Sequence, residues 1–266
     1  MTTKLSVASL QAMKRVGERI ACLTCYDASF ARLLDESGIE VLLVGDSLGM
    51  VLQGWETTLK VKLADMIYHC SHVSRGIERA LVLGDMPFMS YASPSQALHN
   101  AARLMSEGGV QAVKLEGGAW LAETVRLLSE RGVPVCAHLG LLPQSIHKLG
   151  GYRVQGRGAE AAARIREDAR ILKEAGAVML VLECVPRTLA AEITAALEGI
   201  PVIGIGAGSG CDGQVLVLYD MLGISGKSPK FSKDFLASHT SIKAAIEDYA
   251  RSVKAGEFPA QEHGFD

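Results

Sequence analysis

No stretch of this sequence approaches the 18 or so consecutive apolar residues that a membrane span requires, and its opening residues, MTTKLSVASLQAMKR, lack an apolar core of signal-peptide length. We therefore expect a cytoplasmic protein with no membrane partner. An excess of one charge is missing too. The formal net charge is −2 and the basic residues are spread along the chain, so there is no footprint for nucleic acid and a small-molecule partner is expected instead. Cysteine is thin: Cys22, Cys25, Cys70, Cys136, Cys184 and Cys211 are scattered over 266 residues, a length that needs no disulfide staples. Free thiols are expected. Cys22 and Cys25 form a CxxC, but no second pair lies nearby and residues three apart on a strand face opposite ways, which disfavours a metal or redox site. The GxGxxG fingerprint is also absent after the first apolar run, which argues against a dinucleotide-binding doubly wound sheet.

What is present is organised around Val41 to Gly49, VLLVGDSLG. Four apolar residues end in a glycine, an acid and a hydroxyl, the pattern of a parallel strand covered on both faces and leading into a reactive loop. The pattern repeats. Strand-like runs at Ile20–Thr24, Leu81–Leu83, Val110–Leu115, Val133–Ala137, Val178–Leu182, Pro201–Ile205 and Val215–Leu218 alternate with helical segments, and nearly all end in polar residues. Such alternation predicts a parallel sheet closed as a (β/α)8 TIM barrel, one domain of 1–266 with a short helical extension at Thr3 to Arg19, read as a lid or oligomer contact capped by Ser6 or Ser9. Ser93, Pro94 and Gln96 mark a helix start by cap, first-turn proline and capping box. His69 and His72, at i and i+3 on a helix, are expected to be partly buried rather than zinc ligands. The segment GGYRVQGRG at 150–158 is too long for a tight turn and is expected to be functional or mobile. GIGAGSG at 204–210 suits either close backbone approach to a ligand or a tight turn.

In a barrel of this kind the strand ends gather at one mouth. They would bring together Asp46, Asp85, Glu116, Glu183, Lys114, His138, Tyr26 and Ser47, with Lys114 on the same face as Glu116 because it lies two residues earlier. Converging carboxylates repel, so unless some are protonated they need a cation, and oxygen-only ligands favour Mg2+ or Mn2+. A hard cation with open positions suits a 2-oxo acid, whose ketone it would polarise. One carboxylate off the metal, Glu183, could then act as base.

The motifs VGDSLGMVLQG at 44–54, GDMPF at 84–88, VKLEGG at 113–118, HLGLLPQS at 138–145, GYRVQGRG at 151–158, VLECVP at 181–186 and GIGAG followed by CDGQVLV to 217 resemble ketopantoate hydroxymethyltransferase, in order over nearly the whole chain. The resemblance implies a Mg2+-dependent barrel of the phosphoenolpyruvate mutase/isocitrate lyase type. Such an enzyme moves a hydroxymethyl group from 5,10-methylenetetrahydrofolate to 3-methyl-2-oxobutanoate, giving 2-dehydropantoate for pantothenate synthesis. It also implies a large homo-oligomer, a decamer in bacterial relatives. By motif, Asp46 and Asp85 match metal ligands and Glu116 the third metal-site acid. Lys114 and Ser47 match residues that bind the oxo acid, with Tyr26 and His138 close by, and Glu183 matches the base. The chain departs from the family's usual loop at Ala137, where a glycine is common, and at Leu142, where a threonine is. Two rivals stand beside this reading: a superfamily member that breaks C–C or C–P bonds without folate, and a non-catalytic metabolite-binding barrel.

Overall fold

The computed structural model describes residues 4–226 and 228–266, so Thr3 lies outside it. Eight parallel strands, β1 (Ile20–Thr24), β2 (Val41–Val44), β3 (Leu81–Asp85), β4 (Ala112–Glu116), β5 (Val135–Gly140), β6 (Met179–Glu183), β7 (Val202–Ile205) and β8 (Gly213–Leu216), pair in sequence order. Pairing of Ile20 with Gly213 closes β8 onto β1, and glycine is required there because a Cβ on Gly213 would overlap the Ile20 carbonyl. Helices between the strands cover the outside, and the expected TIM barrel is the observed fold.

Strand alternation sorts the apolar residues into two clusters. Ile20, Cys22, Val41, Leu43, Leu81, Leu83, Ala112, Cys136, Met179, Val181, Ile203, Ile205 and Val215 pack inside the barrel. Leu23, Leu42, Val82, Val113, Leu115, Ala137, Leu180 and Val202 face outward, against helix residues such as Leu34, Met66, Leu104, Val125 and Ile193. Cys22 and Cys25 fall in different clusters, as their spacing demands, and all six cysteines are free and buried.

Three expectations change. The strand read from Val133 to Ala137 and ending in His138 starts at Val135 and runs two residues past His138, to Gly140. The last strand ends at Leu216, where Leu218 donates its N–H to Thr24 Oγ1 (2.9 Å), and Leu218–Met221 turns into a helix that carries Tyr219 and Asp220. The largest change concerns the N-terminal segment. Its helix, Val7–Arg15, is capped by Ser6 and inserts Leu10 and Met13 into the inner cluster. Leu5 N–H bonds Arg79 O, just before β3, and Lys14 Nζ bonds Asp212 Oδ2 (2.8 Å), just before β8. The helix thus plugs the amino end of the barrel and does not cover the strands' carboxyl ends.

Leu10 is fully buried in that plug. Leu10→Ala is expected to cost about 2–5 kcal/mol in urea unfolding, the usual price of a truncated core leucine, with substrate affinity unchanged at temperatures where the variant is folded. A change in substrate affinity would tie the plug to the opposite end.

Candidate active site

The apolar filling of the barrel stops one side chain below its carboxyl end. Continuing the inward-facing rows by two residues gives Asp85 after Leu83, Lys114 and then Glu116 after Ala112, His138 after Cys136 and Glu183 after Val181. Ladder register sets Asp85 opposite Lys114 and Glu116 opposite His138. The top layer of the barrel is therefore charged. It forms the floor of a cavity of about 720 Å3, whose walls include Ser47, Trp55, Tyr152, Phe231 and Phe265.

Asp46 follows β2 in a loop. Its N–H donates to Asp85 Oδ2 (3.0 Å), and Gly45 permits this approach because a Cβ there would meet Ser47 Oγ at 2.8 Å and Asp85 Oδ2 at 3.5 Å. Lys114 Nζ stands 2.9 Å from Asp85 Oδ1, 3.5 Å from Glu116 Oε1 and 3.2 Å from His138 Nδ1. On the far side of the imidazole, His138 Nε2 lies 3.3 Å from Glu183 Oε2. Nδ1 also lies 3.5 Å from Glu116 Oε1, so the ring stands between two carboxylates, and its Nε2 contact with Glu183 lacks hydrogen-bond geometry. His138 thereby joins the acid cluster to the separate carboxylate.

Asp46, Asp85, Lys114, Glu116 and His138 are each no more than 4% exposed. Burial, with the charges of Glu116 and Asp85, holds the Asp46 carboxyl well above the usual range. Burial also raises Asp85, against the opposing pull of Lys114. For Glu116, burial is outweighed by Lys114 and His138, and its carboxyl is lowered. Burial and Lys114 push His138 down, but Glu116 and Glu183 outweigh them and leave it raised. Three buried carboxylates thus share one ammonium.

That imbalance is what fits the set to a divalent cation. The donors are all oxygen, as Mg2+ prefers, and Asp85 Oδ1 has no partner of hydrogen-bond geometry, its contact with Lys114 being ionic only. The acids do not form a finished cage: among the described residues no three His, Cys, Asp or Glu side chains already converge on one metal-sized point. Asp85 is shared with Lys114, which a cation would have to displace in part.

Backbone constraints fix Glu183. Leu141 N–H donates to its carbonyl (2.8 Å), and position 140 needs glycine, since φ is +95° there and a Cβ would overlap that oxygen. The next residue, Cys184, takes φ +47°, rare for a side chain other than glycine, and is held there by Cys184 N–H to Ile205 O and Gln155 N–H to Cys184 O, both 2.9 Å. Strained backbone of this kind clusters at functional sites.

The remaining sequence candidates divide. Ser47 lines the cavity and its Oγ shares a 2.9 Å hydrogen bond with Tyr26 OH. Tyr26 itself is buried in the outer cluster and lines no part of the cavity, so it reaches the site only through Ser47. His69 Nδ1 contacts Tyr26 O (2.8 Å) and His72 Nδ1 contacts Tyr68 O, two partly buried helix histidines that share no ligand set. Tyr152, Arg153 and Val154 of the glycine-rich segment wall the cavity. The second glycine-rich stretch serves packing: Cβ atoms on Gly208 and Gly210 would meet Arg187 Cβ at 2.6 Å and Ala191 Cβ at 2.7 Å. Ala137 faces the outer cluster, away from His138's side of the strand. Sequence reading missed Gln144, buried beside the acids in the loop after β5, although it lies in the HLGLLPQS motif; its short 3-10 helix, Pro143–Ser145, has no periodicity to reveal which way it points.

Residues 4–261 match the model of the family described as ketopantoate hydroxymethyltransferase. Similar proteins include the 3-methyl-2-oxobutanoate hydroxymethyltransferase of Nitrosococcus oceani, 64% identical over 97% of this chain and 98% of that one. The enzyme of the same name from Methylococcus capsulatus is 60% identical over 100% and 98%. Among solved structures, phosphoenolpyruvate phosphomutase from Streptomyces platensis subsp. rosaceus superposes with a TM-score of 0.63 at 12% identity, covering 84% of each chain. For 2,3-dimethylmalate lyase, of the phosphoenolpyruvate mutase/isocitrate lyase superfamily, the TM-score is 0.59 at 17% identity over 95% and 99%. Those two likenesses establish the barrel type alone, whereas the family match spans almost every described residue: this chain belongs to the ketopantoate hydroxymethyltransferase family.

Proposed function

We propose that the chain transfers a hydroxymethyl group from 5,10-methylenetetrahydrofolate to 3-methyl-2-oxobutanoate, releasing 2-dehydropantoate and tetrahydrofolate, with Mg2+ held by Asp46 and Asp85 and supported by Glu116. The observation that carries this reading is the division of the acids. Three crowd around Lys114, while Glu183 stands apart behind His138, 14% exposed and free to meet a substrate. Bound Mg2+ would supply a Lewis acid that makes the substrate's C3 hydrogen acidic. Glu183 takes that proton, its carboxylate lying 3.3 Å from His138 Nε2. Lys114, a buried point charge, stabilises negative charge on the acid's oxygens as C3 becomes a nucleophile. Water breaks both bonds from the methylene carbon to the folate nitrogens, leaving its two protons on tetrahydrofolate and its oxygen on the carbon at the oxidation level of formaldehyde. The C3 carbanion adds to that carbon, and the oxygen takes up the proton held by Glu183 to become the hydroxyl. Ser47, held by Tyr26, hydrogen-bonds the acid.

One (β/α)8 domain carries the whole reaction, and the remaining length of the cavity takes the folate. We further infer a cytoplasmic homo-oligomer; exposed Tyr68, Met89 and Trp120 offer apolar surface for it. Among the described residues no helix is long and apolar enough to cross a membrane.

The test needs no folate. In deuterated water with Mg2+, the C3 proton of 3-methyl-2-oxobutanoate should exchange, and EDTA should stop it. An acid that fragments, or a C3 proton that never exchanges, would favour a C–C or C–P bond-breaking relative.

Lys114→Ala separates substrate from metal binding. Loss of a hydrogen bond to a charged group, worth about 1.5–3 kcal/mol, predicts roughly ten- to hundredfold weaker oxo-acid binding by calorimetry. Mg2+ affinity should not fall, because the ammonium competes for Asp85. Unchanged substrate affinity would reduce Lys114 to a structural counter-charge.

A further inference from the structure

Gln144, in the loop after β5, touches two members of the acid cluster, Asp46 and Glu116. Its Nε2 donates to Asp46 Oδ2 (2.8 Å) and to Met86 O (3.0 Å), in the loop after β3. Its backbone N–H donates to Glu116 Oε2 (3.0 Å). Its Oε1 accepts from Tyr91 OH (2.6 Å), a hydroxyl that also lies 3.3 Å from Glu116 O. Every polar atom of the side chain is used, in a residue 6% exposed. The amide can sit only one way round, since reversing it would set Oε1 against a carboxylate and a carbonyl.

We propose that Gln144 is a positioning residue that presents Asp46 and Glu116 to the cation, with Tyr91 locking its amide. This deepens the functional reading above and rests on it. Gln144 lines no part of the cavity, so it acts through the carboxylates. By occupying Asp46 Oδ2 it leaves Oδ1, which has no protein donor among the described residues, as the oxygen free for a metal. The crowded acids would otherwise turn away from one another. A glutamine meets this demand because one amide supplies two donors and one acceptor, whereas a carboxylate would bring a further charge and no donor.

Mn2+ titration followed by electron paramagnetic resonance tests this on the purified chain without turnover. Gln144→Met keeps the volume and the backbone N–H but removes the amide. Its Mn2+ dissociation constant should rise by roughly ten- to hundredfold, the usual effect of losing a group that orients a metal ligand. Oxo-acid exchange should recover largely at saturating Mn2+. Tyr91→Phe leaves the amide in place without its lock, so it should fall between wild type and Gln144→Met, and it serves alone if the first variant does not fold. Wild-type Mn2+ affinity in folded Gln144→Met, or in Tyr91→Phe where only that variant folds, overturns the proposal. Failure of the wild-type chain to bind Mn2+ overturns the metal reading itself, which keeps the two failures distinct.

Discussion

Glu183→Gln should bind Mg2+ and 3-methyl-2-oxobutanoate and yet lose roughly two to four decades of C3 proton exchange, the range typical for removal of a general base. The C3 hydrogen is too weak an acid for an unassisted carboxylate. Its removal requires both a polarised ketone and a base fixed at short range. The structure provides the fixing: the Glu183 main chain is held by Leu141 N–H, and the left-handed Cys184 turns the chain immediately after it. A Gln in its place can still contact His138 Nε2, now through Oε1, so substrate and metal affinity should persist while exchange collapses. Undiminished exchange, followed by NMR, would move the base elsewhere and leave Glu183 as a partner of His138.

The second large effect is expected from the aspartates. Asp46→Asn and Asp85→Asn should each abolish detectable Mg2+ binding by calorimetry and, with it, turnover, while circular dichroism shows an intact barrel. Three buried carboxylates facing one ammonium destabilise one another, so removing a charge relieves repulsion. Asp46→Asn should therefore melt no lower than the metal-free wild type. For Asp85→Asn the relief is offset by the lost ion pair with Lys114 at 2.9 Å, and a lower melting temperature is expected of this variant than of Asp46→Asn. Wild-type metal affinity in both would remove the proposed cation site.

How much of this was legible in the sequence follows from which residues obey a strand's period of two. Asp85, Lys114, Glu116, His138 and Glu183 continue inward-facing rows, so reading each strand to its end was enough to gather them at one mouth. Asp46 breaks that rule. It comes after β2 ends and is turned by a hydrogen bond from its own N–H to Asp85, and only its place after an apolar run marked it. Tyr26 was read toward the site by the same logic of strand ends, but the chain turns so that only its hydroxyl reaches Ser47. The N-terminal helix shows the opposite limit. Its amphipathic pattern was visible, but which apolar surface it would meet depends on the open amino end of a barrel that exists only once eight strands have closed. Gln144 was unreadable for the same reason: its partners come from β4 and the loops after β2 and β3, and no local signal announces them.

The reading as a whole turns on one reaction mixture: purified chain, 3-methyl-2-oxobutanoate, 5,10-methylenetetrahydrofolate carrying a 13C methylene group, and Mg2+. Carbon NMR should detect the label in the hydroxymethyl group of 2-dehydropantoate, with none formed when EDTA replaces Mg2+ or when Glu183→Gln replaces the wild type. Label that stays on folate while the wild-type chain is folded and metal-bound would contradict the account.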